Sequence, residues 1–375
     1  MGLQLQGLPD FPWDALTPFA ERARAHPDGI VDLSVGTPVD PTPQVVRAAL
    51  AAAADAPGYP TTHGTAALRE AVAAWFARRR GVPSLDPGAV LPTVGSKELV
   101  AWLPSLLGLG PGDVVVHPEV AYPTYDVGAR FAGASPLPAD DVTAWAGRDD
   151  VRLVWLNSPG NPTGQVLGVD ELREVVDAAR RIGAVVASDE CYALLAWDEP
   201  WASGGVPSIL DPRVCGPSHE GLLAVHSLSK QSNLAGYRAA FVAGDPQLVG
   251  RLLEVRKHAG MMVPGPVQAA MVAALDDDAH VDEQRARYRR RRTALLAAVE
   301  QAGLEVDASP AGLYLWARAA GPGQDCWQTV ADLADLGVLV APGAFYGPSG
   351  ARHVRMALTA SDDDVARAAA RLSGA

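Results

Sequence analysis

Chemistry that needs a neutral amine has three side-chain candidates in this 375-residue chain, Lys97, Lys230 and Lys257, because these are its only lysines and arginine supplies the other permanent cations. Lys257 sits in RLLEVRKHAG among arginines and a histidine, which reads as a charged, solvated helix face. Lys97 opens a helical pattern after a glycine turn. Lys230 ends SLSK, after Ser227, Leu228 and Ser229, where an apolar strand pattern stops. A lysine buried at a strand end loses the water that stabilises its charge, so its pKa falls and it can attack a carbonyl. Two more strand patterns end in polar clusters: SPGNPTG from Ser158 to Gly164, and SDECY, which carries Asp189 and Tyr192. A structural core avoids three such ends. In open parallel sheets, ligand chemistry gathers beyond the carboxyl ends of the strands, so the three clusters are expected to form one site.

The elements that must position these groups alternate. VRLVWLNS from Val151, GAVVASDE from Gly183 and LLAVHSLS from Leu222 read as buried strands, and Gly112-Asp113 turns into another, VVVHP. Between the first two, Asp170 to Arg181 reads as a helix with Leu172, Val175, Val176 and Ala179 on one face. Strands separated by helices predict an α/β fold: a large domain with a mostly parallel central sheet covered by helices. GLGPG from Gly108 precedes a strand rather than a helix, so it is a turn and not a phosphate loop. The ends differ from the middle. Residues 1–35 form a Pro-rich arm with one short helix near Pro18 to Ala25. Beyond Pro264, Ala/Arg-rich helices alternate with short strands near Gly312 to Ala317 and Val354 to Leu358. The expected division is an arm, 1–35, that joins the small domain; a large domain, 36–263; and a smaller α+β domain, 264–375.

Composition removes several function classes. A net charge of −12 and a pI near 5.1 argue against a duplex nucleic-acid binder, which would need a basic face, although a few local arginines and amides can still hold a small anion. Cys191, Cys215 and Cys326 are odd in number and far apart, so neither a disulfide framework nor a zinc site is expected, and the histidines show no metal spacing. The opening residues lack a basic region followed by an apolar run, and Ala259 to Leu275 is too short and too Pro-broken for a membrane span. A cytoplasmic protein is expected, with no membrane partner.

The run SLSKQSNLAGYRAA, Ser227 to Ala240, resembles the lysine signature of the class I/II aminotransferases of pyridoxal-phosphate (PLP) fold type I. The resemblance extends from VGTP at Val35 through TVGSKE, AYPTY, NSPGNPTG and DECY to VRMAL at Val354, in the same order and spacing. It implies pyridoxal 5′-phosphate as cofactor and a role for each matching residue. Lys230 is then the lysine joined to the cofactor aldehyde and the shuttle for the substrate proton. Asp189 pairs with the pyridine nitrogen. Tyr192 and Asn161 donate to the phenolic O3′, and Tyr122 stacks on the ring. The amides of Ser96 and Lys97, at the start of a helix, hold the phosphate together with Ser227, Ser229 and Arg238. Many relatives carry Ala-Thr or Ser-Thr at Ser96-Lys97, so the Lys97 amide rather than its side chain is the expected ligand. Arg355 resembles the arginine that grips the substrate α-carboxylate by a bidentate fork, which lysine cannot copy. Gly36 lets the backbone pass close to that carboxylate, with Asn161 beside it. Tyr59, in PGYPTTHG, resembles the tyrosine that reaches the phosphate of the neighbouring subunit, which implies a homodimer.

These residues do not select among the reactions open after Cα deprotonation. Transamination is the commonest in the class; a C–S β-lyase would keep nearly all of them. A PLP-sensing regulator carries an added DNA-binding domain, for which no N-terminal segment is seen. The stretch LPDFPWDALTPFAERARAHPDGIVDLSVGTPVDPTP is similar to that of the N-succinyl-L,L-diaminopimelate aminotransferases of bacterial lysine synthesis, which exchange the amino group with 2-oxoglutarate and glutamate. Aspartate-, aromatic- and alanine-type aminotransferases are the alternatives. A substrate with carboxylates at both ends needs a second cation beside Arg355, which the sequence does not identify.

Overall fold

The computed structural model describes residues 12–321 and 323–374. The first eleven residues of the expected arm lie outside them. A short strand β1 (Val31–Asp32) precedes seven strands that form the large sheet: β2 (Val90–Val94), β3 (Val114–His117), β4 (Ser135–Pro138), β5 (Val151–Asn157), β6 (Val185–Asp189), β7 (Leu222–Ser227) and β8 (Ala239–Gly244). Their order is β2-β8-β7-β6-β5-β3-β4, and only β8 runs against its neighbours.

The central strands are apolar at nearly every position because both faces of the sheet are covered. Along β5, Val154 and Leu156 enter one core cluster while Leu153 and Trp155 enter the other. Leu222 and Ala224 of β7 divide from Leu223 and Val225 in the same way. The helix predicted from Asp170 to Arg181 spans Val169–Ile182 and buries the expected face, Leu172, Val175, Val176 and Ala179. The Glu171 carboxylate accepts the Gly168 amide at 2.6 Å at its start, and Gly183 closes it at φ +70°.

A second sheet is antiparallel, with the order β12 (Ala341–Pro342), β13 (His353–Ala357), β10 (Tyr314–Ala319) and β9 (Leu304–Val306). A further strand, β11 (Val338–Leu339), pairs with β1 in parallel. The helix Thr17–Arg24, expected near Pro18 to Ala25, buries Ala20 and Ala23 in the same cluster as Leu315, Ala317, Val354 and Met356. The N-terminal segment therefore packs with the small sheet. Helix Gly265–Asp276 behaves differently from the expected division at Pro264. Its Val267, Ala270, Met271, Ala274 and Leu275 enter the large cluster, and it packs on helices Gln44–Ala52 and Ala66–Arg79. Packing therefore changes sides near Asp277, before the long helix Ala279–Gln301. Among the described residues no helix is long and apolar enough to cross a membrane.

Candidate active site

The carboxyl ends of β5, β6 and β7 bring Asn157, Asp189 and Ser227 side by side, with Asn157 and Asp189 directly paired in register. They open onto a cavity of about 540 Å³ between the two sheets. Lys230, Asp189, Tyr122, Asn161, Tyr192 and Arg355 line it. So do Gly36, Ser96, Lys97, Ser227, Ser229 and Arg238. Twelve of the thirteen residues singled out from sequence thus meet in one place. The thirteenth, Tyr59, is 97% exposed and lies outside this cavity.

Lys230 sits in the one-turn helix Leu228–Gln231 that follows β7, and its Nζ donates to the Gly36 carbonyl. Burial pushes its ammonium below the usual lysine range, and the Arg355 and Arg238 charges push the same way. Asp189 is buried at 7% exposure. Its Oδ2 accepts from the Tyr125 hydroxyl at 3.0 Å and its Oδ1 from the Cys191 amide at 3.2 Å. Burial raises the carboxyl's pKa, and the bonds from Cys191 and Tyr125 oppose that rise. Tyr125 is itself fixed by stacking on Trp155, with ring centroids 5.0 Å apart. Burial pushes the neighbouring Tyr122 phenol up to about 12.

An anion cradle lies at the start of helix Ser96–Leu106. Gly95 enters it at φ +79°, and a Cβ there would lie 2.2 Å from Arg238 Nη2, so only glycine lets the guanidinium approach the helix N-terminus. Arg238 holds this position from a left-handed backbone, φ +56°, a conformation that costs about 1 kcal/mol or more for a non-glycine residue. Its Nη1 donates to the Ala235 carbonyl at 2.8 Å. Ser227 Oγ donates to Ser229 Oγ at 2.8 Å beside it.

On the opposite wall, Arg355 of β13 is 3% exposed. Nη1 donates to Asn161 Oδ1 at 3.0 Å and Nη2 to the Ser34 carbonyl at 2.6 Å, while the buried Nε has no hydrogen-bond partner among the described residues. The guanidinium lies 4.0 Å from the Tyr314 ring centroid and 4.9 Å from that of Tyr346. Asn157 orients Asn161 by accepting its backbone amide at 2.7 Å. Sequence reasoning missed Asn157, Tyr125, Cys191 and Tyr314. The first three stand at or within quoted motifs, so their positions were signalled; Tyr314 had no local signal.

The surroundings suit a ligand with an aldehyde, a cationic ring nitrogen and a phosphate: a depressed amine, a buried carboxylate met only by neutral donors, and a helix N-terminus with an arginine across it. The family model for aminotransferase class I and II matches residues 28–372. The chain is 60% identical, over 98% of its length and 100% of the other's, to "4-dedimethylamino-4-oxo-anhydrotetracycline transaminase OxyQ" of Streptomyces rimosus. It is 62% identical to "Probable aminotransferase Rv1178" of Mycobacterium tuberculosis, covering 98% of this chain and 85% of that one. A solved structure described as a "probable N-succinyldiaminopimelate aminotransferase" from Thermus thermophilus superposes with a TM-score of 0.86 at 30% identity, covering 96% of this chain and 99% of that one. The chain belongs to the class I and II aminotransferases, enzymes of PLP fold type I that work with pyridoxal phosphate.

Proposed function

We propose that this aminotransferase moves the amino group of N-succinyl-L,L-2,6-diaminopimelate to 2-oxoglutarate, yielding N-succinyl-2-amino-6-oxopimelate and glutamate. The observation that carries a carboxylate-bearing substrate is Arg355: a buried arginine on the cavity wall, bonded to two neutral oxygens and paired with no carboxylate among the described residues. The Thermus thermophilus likeness supports the diaminopimelate class.

Bound pyridoxal phosphate supplies an aldehyde for exchange with the substrate amine and a ring that accepts electrons from the substrate Cα. Lys230, whose ammonium form burial disfavours, would be the residue that holds the cofactor's aldehyde end, and its amine stands where it could carry a proton to and from the substrate Cα. Asp189 would hold the ring nitrogen and favour its protonated form, Tyr192 and Asn161 would donate to the phenolic oxygen, and Tyr122 would pack against the ring. The amides of Ser96 and Lys97, with Ser227, Ser229 and Arg238, hold the phosphate. Arg355 would grip the α-carboxylate beside Gly36. The exposed Tyr59 reaches the phosphate of a second copy, so the active unit is a homodimer in the cytoplasm.

A second reading has a specific observation behind it. The 60% identity with the Streptomyces rimosus transaminase extends over 98% of this chain, which favours amination of a bulky ring ketone. A donor and acceptor screen separates the two. Purified enzyme is offered 2-oxoglutarate with succinyl-diaminopimelate, aspartate, tyrosine or alanine while glutamate is followed, and glutamate with a 4-oxo-anhydrotetracycline ketone while 2-oxoglutarate is followed. Glutamate release greatest with succinyl-diaminopimelate supports the first reading. Turnover only with the ketone contradicts it and supports the second.

A further inference from the structure

Tyr314 takes part in the site from β10, yet none of the roles above includes it. It is 3% exposed and lines the cavity. Its hydroxyl lies 3.1 Å from that of Tyr192, and the two rings meet edge-on, centroids 5.7 Å apart at 72°. Its ring face is the platform 4.0 Å beneath the Arg355 guanidinium. A Cβ on Gly36 would come 2.3 Å from the hydroxyl, so a glycine is required where this ring enters. One side chain therefore touches the tyrosine assigned to O3′ and the arginine assigned to the carboxylate.

Each phenol has one proton and can also accept. If Tyr192 donates to Tyr314, it has no proton left for a ligand. In the reverse order, its own proton is free and its O–H is polarised by the bond it accepts. We infer that Tyr314 is a positioning residue whose hydroxyl donates to Tyr192, which sends the Tyr192 proton to the cofactor's phenolic oxygen, while its ring holds Arg355 in place for the substrate carboxylate. This rests on the roles proposed above for Tyr192 and Arg355.

The test uses the loaded enzyme and the pH midpoint of its visible cofactor absorbance. A donor to the phenolic oxygen stabilises negative charge most when the adjoining lysine nitrogen has lost its proton. Weakening that donor therefore moves the midpoint up. Tyr192→Phe is expected to move it furthest. Tyr314→Phe keeps the ring and the packing, and is expected to move it in the same direction by roughly half a pH unit, with the loss of activity in kcat rather than KM. Tyr314→Leu removes the platform as well and adds a rise in KM for the amino donor. The double variant Tyr192→Phe/Tyr314→Phe matches Tyr192→Phe alone, since Tyr314 acts through Tyr192. A midpoint that moves with Tyr192→Phe but not with Tyr314→Phe, or additive shifts in the double variant, overturns the inference and leaves the role of Tyr192 standing. A midpoint unmoved by Tyr192→Phe overturns both.

Discussion

Asp189 and Glu190 are adjacent at the end of β6, and their surroundings are opposite. Glu190 faces the structural side. Its Oε2 accepts from Arg80 Nη2 at 2.7 Å, and its Oε1 accepts from the Ile209 amide at 2.8 Å and Ser208 Oγ at 3.0 Å. Both side chains of this ion pair are almost fully buried. Asp189 faces the cavity and meets a tyrosine hydroxyl and an amide. The arginines divide in the same way. Arg256 is paired with Glu98, and Arg291 with Asp40 and Asp362, whereas Arg355 donates to an amide oxygen and a main-chain carbonyl. A buried charge that serves the fold is neutralised inside the chain. Those that line the cavity, Asp189 and Arg355, have no opposite charge in direct contact among the described residues, as expected of groups kept for a ligand.

The comparison is broken most severely at the amine itself. Lys230→Ala is expected to abolish measurable steady-state transamination while cofactor still binds noncovalently and the thermal midpoint stays near that of the parent; turnover near the parent rate would remove Lys230 from the centre. The two acidic neighbours come next. Asp189→Asn is expected to lose orders of magnitude in rate, each 1.36 kcal/mol being about tenfold, with folding preserved. Glu190→Gln leaves Arg80 buried without its charge and is expected to cost about 3–5 kcal/mol of stability. Rate measured per folded molecule, beside denaturant midpoints, tells the two apart, and the same profile for both variants would erase the distinction. Arg355→Lys should lower kcat/KM for carboxylate donors by about a hundredfold, since an ammonium cannot form the fork. An unchanged value would point to another carboxylate ligand.

A last effect is on stability against pH. His226 is buried beneath Trp75 and Phe241, and burial pushes its pKa down to about 4. Between about pH 6.5 and about pH 4 the unfolded chain binds a proton that the native chain does not. The contribution of the neutral ring is therefore intact above that window and is lost as pH falls through it, amounting to about 3 kcal/mol. His226→Asn should flatten this part of the denaturant-midpoint profile; an unaltered slope would assign it to other groups.

Much of the site was legible because its parts stand at the ends of apolar strands, where polar clusters have no structural reason to be. Lys230, Asp189 and Asn161 each stand in such a cluster, and it was the register of the three clusters, not any one alone, that pointed to a single site. Tyr314 could not: it lies in a strand of apolar residues, and its meaning comes from Tyr192, 122 residues away in sequence. Asn157 lay unremarked inside the strand read over VRLVWLNS, and only the turn that brings Asn161 back to it gives it a task. The chain from about Pro264 onward read as the smaller domain. Proline at the first positions of a helix merely starts it, and the apolar face that follows returns to the large core. Tyr59 is exposed in a single chain, so its assigned role depends on a second copy.

With only three lysines in the sequence, the covalent claim has a direct test. Enzyme incubated with pyridoxal phosphate is reduced with borohydride, digested and mapped by mass. The account predicts one pyridoxyl-phosphate adduct, on the peptide that contains Lys230. An adduct confined to Lys97 or Lys257, or none at all on protein that shows no yellow band, would contradict it.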